Sequence, residues 1–147
     1  MKLCVFKDTP TRIPITRLNR LFEMFVQAEA NPDWSSVVNL VFTTDHKIRN
    51  LNREFRSVDR ATDVLSFNMD EPSESGGTFG EIYISVHTAT RQAGEYGVPL
   101  FEEFLRLACH GLLHLSGYDH VDSEDNERMR KFEKQLLDRL GESGEHV

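Results

Sequence analysis

Between Leu100 and Leu115 the chain reads LFEEFLRLACHGLLHL, and Leu100, Phe101, Phe104, Leu105, Leu107, Ala108, Cys109, Leu112, Leu113 and Leu115 leave a helix apolar nearly all round. A helix of that kind cannot rest on a surface with one side in water, so other elements must enclose it. The stretch falls short of the roughly 20 apolar residues that span a bilayer, and no other stretch approaches that length. The enclosure is therefore protein. Gly97-Val98-Pro99 leads in, with the proline suited to a first helical turn, and Glu102 and Glu103 lie near the positive end of the helix dipole.

This enclosed helix carries His110 and His114, and His120 follows shortly after, so three of the six histidines fall within eleven residues. Positions four apart share a helical face, which sets two imidazoles about one turn apart, the separation at which they can share a metal ion. Gly117 can adopt the left-handed conformation that ends a helix and reverses the chain, returning His120 toward the same face. Buried imidazoles need partners, and an ion is a good one. Three protein nitrogens on a tetrahedral zinc leave a fourth position for water, the arrangement of a catalytic site.

The spacing His-x3-His-x5-His also matches the metal-binding half of the metzincin protease motif. Those proteases carry a glutamate directly after the first histidine as general base, whereas this chain has Gly111. Met129, where a methionine turn could be sought, has helical spacing to Phe132 and Leu136 and reads as core. Cys109 adjoins His110, but neighbouring helical residues point about 100° apart, so the thiol belongs to the core rather than to the ion. With only Cys4 and Cys109 present, no disulfide framework is indicated.

The run His110-Gly111-x-Leu113-His114-Leu115-x-Gly117-Tyr118-Asp119-His120 resembles the signature of the YbeY endoribonucleases. The resemblance extends, in order, to Asn52-x-x-Phe55-Arg56, to Thr62-Asp63-Val64-Leu65-Ser66-Phe67 and to Gly80-Glu81-Ile82-x-Ile84-Ser85, and covers most of the chain from about residue 45 onward. Asn68 and Glu81 depart from it, standing where the family commonly has proline and aspartate.

The resemblance implies a small mixed sheet with a three-histidine site in a cleft, and cleavage of single-stranded RNA. Its cellular setting would be the maturation of ribosomal RNA, at the 3′ end of the 16S species, and ribosome quality control. Ribosomal proteins are candidate partners, and neither DNA nor a membrane is expected. The ligands would be His110, His114 and His120, holding one divalent ion per chain, zinc by preference for imidazole, with other transition metals as alternatives. Arg56 matches the family's arginine and is the candidate cation for the charge that develops on phosphorus. Asp119 either orients a ligand ring through its other nitrogen or caps the chain reversal. The attacking group, water or the RNA 2′-hydroxyl, is left open. The rival reading is a metal-stabilised binding module on the ribosome without catalysis, and a metzincin-like metalloprotease lacking its glutamate ranks below both.

At 147 residues and 39% hydrophobic residues the chain has material for one core, expected as a single domain over residues 1–141 with a flexible tail over 142–147. Its N-terminus has too short an apolar run for a signal peptide, so a cytoplasmic protein is expected. The formal net charge of −7 argues against gripping nucleic acid by bulk charge. The average conceals a cluster: Lys47, Arg49, Arg53, Arg56 and Arg60 place five of the seventeen basic residues in fourteen positions.

The periodicities predict strands over residues 1–7, 34–43, 63–68 and 80–86, the second of them inside the sheet, with a polar loop over 69–78. Helices are expected over about 16–30, 44–56, 87–96, 100–115 and 123–140. Their expected inward faces are Leu18, Leu21, Phe22 and Phe25 in the first, Ile48, Leu51 and Phe55 in the second, and Phe132, Leu136 and Leu140 in the last. Thr44 or Asp45 would cap the second helix, His87 would cap or pack at the third, and Gly141 would end the fifth. Four strands and five helices in mixed order define an α+β domain, without a readable strand order.

Overall fold

The computed structural model describes residues 2–29, 37–68, 78–116 and 123–142. Strand β1 (Lys2–Lys7) leads into helix α1 (Ile15–Glu29) and strand β2 (Val37–Thr43), which pairs with β1 in parallel, so a helix must make the crossover. Helix α2 (Asp45–Arg56) follows, then strands β3 (Val64–Asn68) and β4 (Thr78–Ser85), which pair antiparallel. Helices α3 (Val86–Tyr96), α4 (Leu100–Leu115) and α5 (Ser123–Glu142) complete the order. The sheet runs β1-β2-β4-β3, with β2 and β4 parallel. The α+β architecture and the internal position of β2 agree with the sequence reading, and the order places β3 at an outer edge.

Alternation along the strands divides the sheet into two faces. Val38, Leu40 and Phe42 of β2 and Ile82 and Ile84 of β4 are buried with Leu18, Leu21, Phe22 and Phe25 of α1, with α4, and with Leu136 and Leu140 of α5 in one core. Helix α4 lies at its centre, ten of its sixteen residues buried, and Phe104 meets Phe42 edge to face at 4.7 Å between centroids. Burial of aromatic and aliphatic side chains at about 25 cal/mol per Å² makes this helix the main hydrophobic contribution to the fold. Among the described residues no helix is long and apolar enough to cross a membrane.

Helix α2 covers the opposite face of β3 and β4, where Phe55 meets Phe67 and Phe67 meets Tyr83. Here the structure corrects the expected inward stripe: Ile48 is fully buried, but the second buried residue is Asn52, and Phe55 is 62% exposed. The C-terminal turn of α2 reaches the outer strand of the sheet, so the helical periodicity that points Phe55 inward finds little left to cover it.

The helix ends also differ in detail. Thr44 is the N-cap of α2, its hydroxyl accepting from Lys47 N at 3.2 Å. Asp45 instead accepts hydrogen bonds from the hydroxyls of Ser85 and Thr88, tying α2 to the start of α3. Ser85, not the exposed His87, caps α3. Pro99 is the N-cap of α4 rather than a residue of its first turn. Helix α5 continues through Gly141 to Glu142, because glycine weakens a helix without barring the right-handed conformation. The rest of the expected tail lies outside the described residues, and the side chain of Met129 is likewise outside them.

Partial burial pushes the Asp45 carboxyl up, but the hydrogen bonds from Ser85 and Thr88, with the charges of His87 and Arg91, outweigh it and hold the group below the ordinary carboxylate value. A carboxyl lowered on folding contributes stability above its unfolded pKa, and that contribution is lost as pH falls through the folded value. Asp45→Ala is expected to cost about 1–2 kcal/mol near neutral pH, the lower part of the range for charge-assisted bonds because the group is half-buried. The gap from the parent protein should narrow below about pH 4. Urea denaturation of both proteins across that range checks this, and a gap independent of pH contradicts it.

Candidate active site

A cleft of about 640 Å³ opens between the C-terminal half of α4, the outer strand β3 and the connection from α2 to β3. His110, His114 and Leu115 line it from α4, Val64, Leu65, Ser66 and Asn68 from β3, Asn52 and Arg56 from α2, and Val58, Arg60, Thr62 and Asp63 from the connection. Three of the residues singled out in the sequence, His110, His114 and Arg56, thus share one cavity. His120 and Asp119 lie outside the described residues, as does Gly117.

The two imidazoles meet edge to face, ring planes 73° apart, with Nε2 to Nε2 at 3.1 Å. Two nitrogens bound to one tetrahedral zinc at about 2.05 Å stand roughly 3.3 Å apart, so the pair fits a shared ion with little adjustment. Among the described residues no third histidine, cysteine or carboxylate joins them. Cys109 is fully buried on another side of α4, and burial pushes its thiol well above the ordinary range, which suits a core residue.

Gly111 sets how closely α4 approaches the sheet. A Cβ there would lie 2.6 Å from Ile82 Cγ2 and 3.1 Å from Ser66 Oγ. Ile82 Cγ2 is attached at Cβ of a buried β-branched residue and has no room to swing away. On β4, a Cβ at Gly80 would lie 2.7 Å from the Leu115 Cδ2 methyl, the end of a side chain that can shift, so the closer constraint is at Gly111. The residue after His110 therefore faces the sheet, and a side chain such as the metzincin glutamate would collide with Ile82 at its first carbon.

Ser66 joins the two halves of the cleft. Its hydroxyl donates to the Gly111 carbonyl at 3.1 Å, fixing β3 to the histidine helix. Its own carbonyl accepts from Arg56 Nη2 at 2.8 Å, and the guanidinium lies over the Phe67 ring at 5.4 Å. Arg56 is thereby drawn to the cleft, while Arg49 and Arg53 turn to Asp59, at 2.8 and 3.9 Å. Asn52 shapes the connection: its amide donates to Arg60 O at 2.9 Å, and its own carbonyl accepts from Val58 N at 3.2 Å. Ser57 takes the left-handed conformation at the turn, with φ of 57°. Asp63 accepts from Val64 N at 2.8 Å at the strand's start.

The sequence reading assigned no role to Asn52, Asp63 or Ser66. Their signal was present, since all three lie in the motifs that carried the resemblance, but only the strand register shows Ser66 turned toward α4.

The fold and cleft define an α+β domain with an imidazole pair and a guanidinium converging on one cavity. A family model described as "Endoribonuclease YbeY" matches residues 5–141. Relatives named Endoribonuclease YbeY include one from Desulforamulus reducens, 48% identical over 110 residues, covering 71% of this chain and 72% of its own. Another, from Pelotomaculum thermopropionicum, is 44% identical over 128 residues and covers 84% of each chain. A third, from Limosilactobacillus reuteri, is 33% identical and covers 96% of this chain and 98% of its own. The solution structure of TM1509 from Thermotoga maritima aligns with a TM-score of 0.67 at 27% identity, over 94% of this chain and 88% of that one. The chain belongs to the YbeY family.

Two glycines in helices give opposite expectations. Gly94 in α3 has open space where a Cβ would go, so Gly94→Ala should stabilise by about 0.5–1 kcal/mol through helix propensity. Gly111→Ala should lose that gain to overpacking and destabilise by about 1–3 kcal/mol. Urea denaturation of the two variants decides it, and a stabilising Gly111→Ala would contradict the close approach described for α4.

Proposed function

We propose that this protein is a zinc-dependent endoribonuclease that hydrolyses phosphodiester bonds of single-stranded RNA in the maturation and quality control of ribosomal RNA. The activity itself is the one named for the family. The observation that carries the reading is the pair of imidazole nitrogens 3.1 Å apart in the same cleft as Arg56. His110, His114 and His120 would hold the ion, with Asp119 orienting one of the rings. A bound divalent ion supplies Lewis acidity toward water and toward a phosphoryl oxygen.

The chain's own residues supply the rest. Arg56 is held by the Ser66 carbonyl through one of the five N–H donors of a guanidinium, and other donors of the fork can bind a phosphate that gains charge during cleavage. Among the described residues Arg56 pairs with a carbonyl rather than a carboxylate, which keeps its positive charge for an anionic substrate. A cleft of this size takes roughly one or two nucleotides, and a duplex would have to unstack to present them, which favours single strands. A protease site is disfavoured because the position for its glutamate base is pressed against Ile82. Ribosomal RNA, ribosomal proteins and a cytoplasmic setting are the partners and location that accord with this reading.

Purified protein should cut unstructured RNA, act weakly on duplexes, leave casein intact and lose activity to a chelator. Arg56→Ala should retain its metal and fold while losing on the order of 10²-fold in rate, the cost of one contact made to developing charge. Rates measured on a labelled single-stranded RNA check this. Wild-type rates in Arg56→Ala would remove its assigned role, and cleavage of peptides but not RNA would overturn the function.

A further inference from the structure

Phe55 is the most exposed large apolar side chain among the described residues, at 62%, although it lies on the inward stripe that helical spacing predicts. Its ring stands edge to face on Phe67 at 5.6 Å between centroids, and Phe67 meets Tyr83 in the same manner at 6.0 Å. The other partner of Phe67 is the Arg56 guanidinium, at 5.4 Å from the ring. Phe55 and Arg56 therefore flank one aromatic ring, and Arg56 lines the cleft that holds the two histidines. An aromatic side chain packed on a second ring, open to water and next in sequence to a cleft-lining arginine has the attributes of a stacking surface.

We propose that Phe55 is a platform on which a base of the single-stranded RNA stacks, next to the nucleotide whose phosphate Arg56 contacts. This rests on RNA being the substrate of the cleft. Stacking tolerates any base, because every base has a π-face, and it requires the base to be unpaired from a complementary strand. Phe55 thus adds to the selection of single strands without reading sequence. The Phe67 ring packs against one edge of Phe55, and Tyr83 in turn packs against Phe67, so the platform rests on a backed ring. The backbone of the same strand can run along α2, which exposes Lys47 beside Arg49 and Arg53, the two arginines paired with Asp59.

The test is an abasic scan. A short single-stranded RNA, with an abasic nucleotide placed at each position in turn, is bound to the full metal-loaded chain on ice and followed by fluorescence anisotropy. In the parent protein one position should be sensitive, losing roughly 5- to 150-fold in affinity, the range of one base-aromatic stack. Phe55→Ala and Phe55→Leu should bind the intact RNA more weakly by that factor, and the abasic nucleotide should cost them nothing further. Phe55→Leu keeps an apolar cover over Phe67 but no π-face, so its melting temperature should stay near that of the parent. Phe55→Trp should restore affinity. Parent-like binding by Phe55→Leu, or losses that multiply in full, overturn the platform while leaving the RNA reading intact. A parent protein that binds no intact single-stranded RNA overturns the RNA reading, and the platform with it.

Discussion

Helix α4 lies on β3 and β4 at a distance that a side chain at position 111 would not permit, and the cleft depends on that approach. With no Cβ at Gly111, the helix backbone comes close enough for its carbonyl to accept the Ser66 hydroxyl. A hydrogen bond of this kind contributes only about 1 kcal/mol by itself. Its importance is geometric, because it fixes the turn of α4 that carries His110 and His114 against the outer strand of the sheet. The hydrophobic enclosure of the helix supplies the energy, and the glycine and the serine supply the register.

The same strand positions the cation. The Ser66 side chain faces α4 while its backbone carbonyl accepts from Arg56, so one residue sets the distance between the histidine pair and the guanidinium. Three basic residues at helical spacing on α2 are separated by this arrangement. Arg49 and Arg53 share the Asp59 carboxylate, and exposed pairs of this type contribute little stability. Both arginines are thereby held on the Asp59 side of the helix, away from the histidine pair. Arg56 meets a carbonyl and an aromatic face instead, which orient a guanidinium without cancelling its charge.

Much of this was legible in the sequence, wherever a residue's role follows from its own neighbours along the chain. The all-round apolar composition of residues 100–115 requires enclosure, the four-residue spacing of His110 and His114 requires one face, and the stripe of Leu18, Leu21, Phe22 and Phe25 requires a packed first helix. What depends on non-local geometry was not legible. Strand order is set by pairing across the whole chain. The exposure of Phe55 arises because α2 reaches the edge of the sheet, which periodicity within the helix does not register. Gly111 reads in sequence as a missing glutamate, but in the structure it is a contact with Ile82. Ser66 and Asn52 act through backbone groups far along the chain, and no local pattern announces that.

Calorimetric titration of zinc into chelator-treated protein reports whether His110 and His114 of α4 hold one shared ion. One saturable site per chain is expected, with His110→Ala and His114→Ala each weakening it severely while both variants stay folded. Zinc binding unchanged in both variants would contradict the account.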